Sequence, residues 1–294
     1  MKTGMHTIFR SGLGRGARST FPALLLVLGL GGCVEIIGIE DTEIEPGRDL
    51  TCVGNVTPPV SDGEPVLIRA VITNITDPMR QGPVPGVQVV RCNSRLGAAC
   101  DFGTPYFPDP ETFIVEVPVT SGFNGYLRIL DADTDDADDW VPYLWYFSQP
   151  IINTRAEPFP IQALTVPVRE GLIYPETSVT QDPARGDMAI NAVDCGDTNA
   201  PNIHFEVTTP ASISAGTDPW YFSGMMVVIA SAPANETTDG LGLGGFRGLE
   251  PGTIGIRSYV ADTFDFETRN GELVAEDTLL IEPDTLTTVR LLPE

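Results

Sequence analysis

From residue 50 onward, apolar and polar positions alternate in short runs separated by Gly and Pro. In 112–119, Phe113, Val115, Val117 and Val119 fall on one side, and Ile114, Glu116 and Pro118 on the other. A period of two marks a strand with one buried face. Runs at 50–56, 66–72, 87–92, 125–130, 143–147 and 161–166 complete a first series. Residues 168–185 break the rhythm and read as a connection with a single helical turn. A second series follows at 187–193, 203–207, 224–230, 246–247, 253–260, 272–281 and 287–292, where Ile254, Ile256, Ser258 and Val260 share a face. Short strands at intervals of roughly 8–12 residues predict a β-sandwich. The expected chain is all-β, with one sandwich over 50–167, the connection over 168–185 and a second sandwich over 186–294. The two series share a loose order of features, a cysteine-bearing opening strand and a later Gly-flanked aromatic, as an internal duplication would.

The N-terminus follows another pattern. Lys2, Arg10, Arg15 and Arg18 precede the apolar run 21–30, and Leu30-Gly31-Gly32-Cys33 closes it. A basic head, a short apolar core and a small-residue exit form a secretory signal. About ten apolar residues are too few to span a bilayer as a helix. Residues 1–32 are therefore expected to be removed. Residues 33–49, acidic and closed by Pro46-Gly47, read as a tether.

Charge and composition then narrow the chemistry. Removing 1–32 takes four of the 17 basic residues and none of the 40 acids, leaving 13 arginines against 40 acids, a formal charge of −27. Nucleic acid, which needs clustered cations, is excluded as a partner, and so is electrostatic docking on anionic lipid. Lys2 is the only lysine, so Schiff-base and lysine-base chemistry are absent from the mature chain. His204 is its only histidine, which rules out a multi-histidine zinc site within one chain. In 202–207, Ile203, Phe205 and Val207 are expected to face a core, and His204 and Glu206 to face water.

Four cysteines follow Cys33: Cys52, Cys92, Cys100 and Cys195. An even number in an exported chain implies two disulfides, with three pairings open. The polar loop between Cys92 and Cys100 favours that local pair, which leaves Cys52 with Cys195. The acidic run 131–139 alternates Asp131, Asp133 and Asp135 as calcium loops do. Asp136 and Pro142 stand where a helix-loop-helix calcium motif needs Gly and Glu, so the run reads first as a solvated connection, with a looser calcium site as the alternative. No other cofactor is expected. Gly240, Gly242 and Gly245 fit a dinucleotide fingerprint formally, but no helix pattern follows, and a Gly-rich hairpin explains them. The aromatic run 143–147 is read as core and inter-domain packing, with a sugar-stacking platform as the alternative.

Two resemblances add to these readings. Leu30-Gly31-Gly32-Cys33 resembles the lipobox of bacterial lipoproteins, which implies acylation of Cys33 and attachment to a membrane through it. Val34 in place of Asp implies sorting to the outer membrane, on the periplasmic or surface side. Asp194-Cys195-Gly196-Asp197, the strand 200–207 and the Gly-rich stretch 238–256 resemble carboxypeptidase-regulatory-like, or transthyretin-like, domains. The segments 112–118, 122–129 and 141–150 are similar to lipoproteins of myxobacteria carrying such domains. That likeness implies two Ig-like, Greek-key sandwiches and a non-catalytic binding or structural role in the cell envelope, with a protein or glycan as ligand. The alternative is a calcium-stabilised adhesin or carbohydrate binder. Asn202 departs from the pattern, which has Gly there.

Overall fold

The computed structural model describes residues 49–293, leaving aside 56, 58, 75–83, 85, 98, 133–139, 176–178, 210–216, 224–225 and 230–236. Its strands are β1 (Pro65–Asn74), β2 (Val87–Cys92), β3 (Ile114–Thr120), β4 (Tyr126–Asp131), β5 (Tyr143–Tyr146) and β6 (Phe159–Ala163). A short helix, α1 (Val166–Ile173), leads to β7 (Gly186–Ala192), β8 (Ile203–Thr209), β9 (Asp218–Ser223), β10 (Met226–Ile229), β11 (Leu243–Leu249), β12 (Gly252–Val260), β13 (Leu273–Ile281) and β14 (Leu286–Leu291). Period two holds where one face meets water. Val66, Ile68 and Ala70 of β1 lie opposite Val119, Val117 and Val115 of β3, and all six are buried. Full burial of such a side chain contributes roughly 1.5–3 kcal/mol.

The strands form three layers. An eight-stranded sheet, ordered β10-β9-β11-β7-β14-β5-β4-β2, lies between two three-stranded sheets, β3-β1-β6 and β13-β12-β8. One core fills each gap. Ile68, Val117, Leu127 and Tyr143 belong to the first, and Leu144, Ile190, Phe205 and Leu279 to the second. Successive residues of a central strand therefore serve different cores. In the run 143–147, Tyr143, Leu144, Tyr146 and Phe147 are all buried, and Trp145 is half-buried.

The strands before α1 make one pair of facing sheets and those after it another. They join in the central sheet, where β14 runs parallel to both β5 and β7. Arg95 forks onto Asp277, and Arg128 donates to Glu282 across 2.8 Å, so two ion pairs support the junction. Two central tyrosines also reach the edges of sheet β13-β12-β8. The Tyr146 hydroxyl accepts the Leu280 N–H on β13 (3.0 Å) and donates to the Arg95 carbonyl (3.0 Å). The Tyr221 hydroxyl accepts the Phe205 N–H on β8 (2.9 Å). Each satisfies an edge amide that would otherwise be open to another strand.

Several expectations are corrected. Residues 51–54 form turns rather than part of a strand, and α1 begins earlier and runs longer than a single turn. β9 was missed. His204 and Glu206 do not face water. The β12–β13 connection folds back over β8, placing the Phe264 ring 4.1 Å from the His204 ring and Arg269 on the Glu206 carboxylate. Alternation assumes that one face is solvated, and here a loop brings its own aromatic cover. The stretch 238–256 is an arch rather than a hairpin, because β11 lies in the central sheet and β12 in an outer one. Asn202 has φ +59°, so it stands where the backbone favours Gly and where Asn is tolerated.

Candidate functional site

The carboxyl ends of the parallel strands β5, β14 and β7 converge on a groove of about 670 Å³. Strand register sets its floor. Trp145 of β5 lies beside Thr288 of β14, and Arg290, two residues on, lies beside Asn191 of β7. In a pleated sheet such partners share a face, so these four side chains line one surface. One wall is the segment that follows β5, carrying Arg155 and Phe159. The Ile151 N–H donates to the Phe123 carbonyl (2.9 Å) and the Ile151 carbonyl accepts the Gly122 N–H (2.8 Å), which holds that segment, and the Arg155 guanidinium sits 4.6 Å from the Phe159 ring centre.

The other wall is the turn Asp197–Asn199 after β7. Arg290 grips Asp197 twice, through its carboxylate (2.9 Å) and its carbonyl (2.8 Å). The Asp194 carboxylate accepts the Gly196 and Thr198 amides (2.9 and 3.0 Å). Cys195 is bonded to Cys52, and the Cys195 N–H donates to the Asp49 carbonyl (2.8 Å). The walls thus come from opposite sides of the β5–β14 junction and are fixed before any ligand arrives.

Two polar atoms at the floor are buried and unpartnered, the Thr288 Oγ1 and the Asn191 Oδ1. Thr288 is 7% exposed. A buried acceptor without a donor costs on the order of 1–3 kcal/mol. Arg155 is an exposed cation on the lining, while the charge of Arg290 is held by Asp197. The groove can therefore accept hydroxyl donors at its floor, a flat apolar ring against Trp145 and an anionic group near Arg155.

A second polar cluster is closed. Asp187 is fully buried, accepting from the Tyr174 hydroxyl (2.6 Å) and the Gly248 N–H (3.1 Å). Burial raises its carboxyl above the ordinary range, against the lowering by those two hydrogen bonds and by Arg169. Arg169, on α1, holds Gln181 (2.5 Å) and Asp284 (2.9 Å), and so fastens the helix onto the second strand series.

The sequence-predicted site residues are placed as follows. Cys33 lies outside the described residues, as do Asp133 and Asp135. Asp131 ends β4 and accepts the Trp140 N–H (3.2 Å). Among the described residues no group of three His, Cys, Asp or Glu is placed to hold a metal ion, and no helix is long and apolar enough to cross a membrane. The cysteines form Cys52–Cys195 and Cys92–Cys100. The Gly-rich run is structural: a Cβ on Gly245 would lie 1.9 Å from the Met188 carbonyl oxygen. The groove itself is not anticipated beyond the aromatic run, because Thr288 and Asn191 come together with Trp145 only through parallel pairing, and Arg155 through the backbone pairing of its segment at Ile151.

Fold and groove together define an all-β, disulfide-stapled sandwich protein. No family model matches the chain, and no curated protein sequence matches it. Among solved structures it is similar to the Bacillus anthracis TIE protein (TM-score 0.23, 14% identity, 78% of this chain and 34% of that one). It is also similar to a streptococcal ancillary pilin (0.21, 13%, 80% and 64%) and to a variant of the shaft pilin spaA of Lactobacillus rhamnosus GG (0.21, 8%, 80% and 98%). The chain spans about a third of the first protein's length and under two thirds of the second's. At such scores the architecture rests on the strand pairing described above.

Proposed function

We propose that this protein is an exported lipoprotein, held at the outer membrane through acylated Cys33, that serves as a non-catalytic structural and binding module of the cell envelope. The observation that carries the proposal is the fastening of the tether's end by Cys52–Cys195 onto a body of two sandwiches that share one sheet. Two disulfides suit an oxidising compartment, and a sheet common to both sandwiches makes a single display scaffold. The seventeen-residue tether, 33–49, reaches at most about 60 Å when extended, which keeps the scaffold beside the membrane. The test is the intact mass of the protein from membranes of its host, with and without reduction. The expected mass begins at Cys33 and includes acyl chains, with four thiols appearing only after reduction. A mass that begins elsewhere, lacks acyl chains or shows free thiols from the outset overturns the proposal.

A further inference from the structure

We propose that the groove at the ends of β5, β14 and β7 is a binding site for a short oligosaccharide carrying an acidic sugar. This deepens the proposed binding role but does not depend on lipid anchoring. The first ground is the pair of orphan acceptors. Thr288 lies in the middle of a central strand, flanked by strands on both sides, yet its Oγ1 and the nearby Asn191 Oδ1 have no protein partner. Buried polar atoms in folded proteins are almost always hydrogen-bonded. An amide oxygen only accepts, so the missing group at Asn191 must bring a donor; a bare phosphate or sulfate dianion brings none. The second ground is the ring beside them. Trp145 is the half-buried tryptophan of the chain, whereas Trp140 and Trp220 are 5% and 2% exposed. Its flat surface suits the apolar C–H face of a pyranose, whose hydroxyls then fall toward Thr288 and Asn191.

The third ground is charge. In a chain of net charge −23, the groove is lined, among the described residues, by Arg155, Arg290 and one acid, Asp197, which Arg290 already holds. Arg155 rests on the Phe159 ring and is exposed on the lining of the groove. An amine ligand would meet that charge, and a neutral one would leave it unused; a sugar carboxylate matches it. The volume of about 670 Å³ falls within the usual span of small-molecule sites, about 300–1,000 Å³. The walls are braced by backbone pairs, an Arg–Asp grip and a disulfide, so little ordering is needed on binding.

The test uses the purified, oxidised protein with trigalacturonate as probe and maltotriose as its neutral counterpart. Trigalacturonate is expected to bind and to shift the Trp145 indole N–H signal while those of Trp140 and Trp220 stay in place. Thr288→Val keeps the strand and removes only the hydroxyl; it should melt at or above the native temperature and bind about tenfold more weakly. Arg155→Gln should bring trigalacturonate down to the affinity of maltotriose. Absence of binding at about 10 mM, binding that leaves the Trp145 signal unmoved, or a Thr288→Val variant that is destabilised and binds normally overturns the assignment. Equal affinity of the native protein for the two probes overturns the acidic-sugar specificity. Any of these results leaves the anchored-scaffold proposal standing, because the Cys33 mass decides that one separately.

Discussion

Replacing Tyr146 by Phe removes one oxygen and nothing else. The ring keeps its stack on Tyr126, with centroids 4.8 Å apart, and its contact with the Arg95 guanidinium at 5.3 Å. Two backbone groups lose their partner: the Leu280 N–H on the edge of β13 and the Arg95 carbonyl in the loop closed by Cys92–Cys100. A buried group left unsatisfied costs about 1–3 kcal/mol. Leu280 is half-buried and reachable by some water, so the low end applies to each group, and the sum is about 2 kcal/mol. For a chain of this size that lowers the melting temperature by roughly 4–8 °C. Hydrogen exchange supplies the local readout: the Leu280 amide should exchange faster, while the Leu279 amide, which faces away along the strand, keeps its rate. Tyr221→Phe should reproduce the effect on the opposite edge, at the Phe205 amide. A loss below about 0.5 kcal/mol with Leu280 still protected would refute the edge-capping role.

Two further outcomes follow from the same structure. Gly245→Ala places a Cβ 1.9 Å from the Met188 carbonyl and should prevent folding or cost more than about 4 kcal/mol, whereas Gly171→Ala, exposed on α1 with nothing within 4 Å, should stabilise by about 0.5–1 kcal/mol in urea unfolding. The raised carboxyl of Asp187 favours the folded state most below the ordinary aspartate value of 3.8, and that contribution is lost as pH rises through its higher folded value. Asp187→Asn, which can keep the Tyr174 and Gly248 bonds, should therefore gain stability relative to the native protein as pH rises from 4; a pH-independent difference in melting temperature would count against that sign.

Legibility in the sequence tracked solvation. β1, β3 and β12 are readable because one face of each strand carries Val or Ile at alternate positions, interrupted only by Ala70 in β1 and Ser258 in β12. β9 is not, because Trp220 and Phe222 enter one core and Tyr221 the other, leaving no alternation, and Pro219 reads as a break. β11 was reduced to two residues because Gly244 and Gly245 look like a turn, although they are required by the close approach of Met188 and Tyr221. Alternation places His204 in water because the aromatic that covers it, Phe264, comes from a loop some sixty residues later. The polar, Gly-containing loop between Cys92 and Cys100 favours that local pair, and Cys52–Cys195 follows as the pair that remains. The groove was the least legible part. Trp145 was visible within an aromatic run, but Thr288 and Asn191 are ordinary polar residues in ordinary strands, and only the parallel pairing of β14 with β5 and β7 makes them neighbours.

The bond between Cys52 and Cys195 also sets a mechanical route through the molecule. A pull arriving at the N-terminal side of Cys52 passes directly to Cys195 beside β7, and from there through the β7–β14 pairing toward the C-terminal end. The first strand series, which lies within the 143 positions separating the two cysteines, is outside that load path. It contains every strand of the β3-β1-β6 sheet together with β2, β4 and β5. That sandwich, and the groove wall it contributes, is shielded from tension so long as the bond is intact. Reduction would place it in series, adding roughly 480 Å of extensible chain.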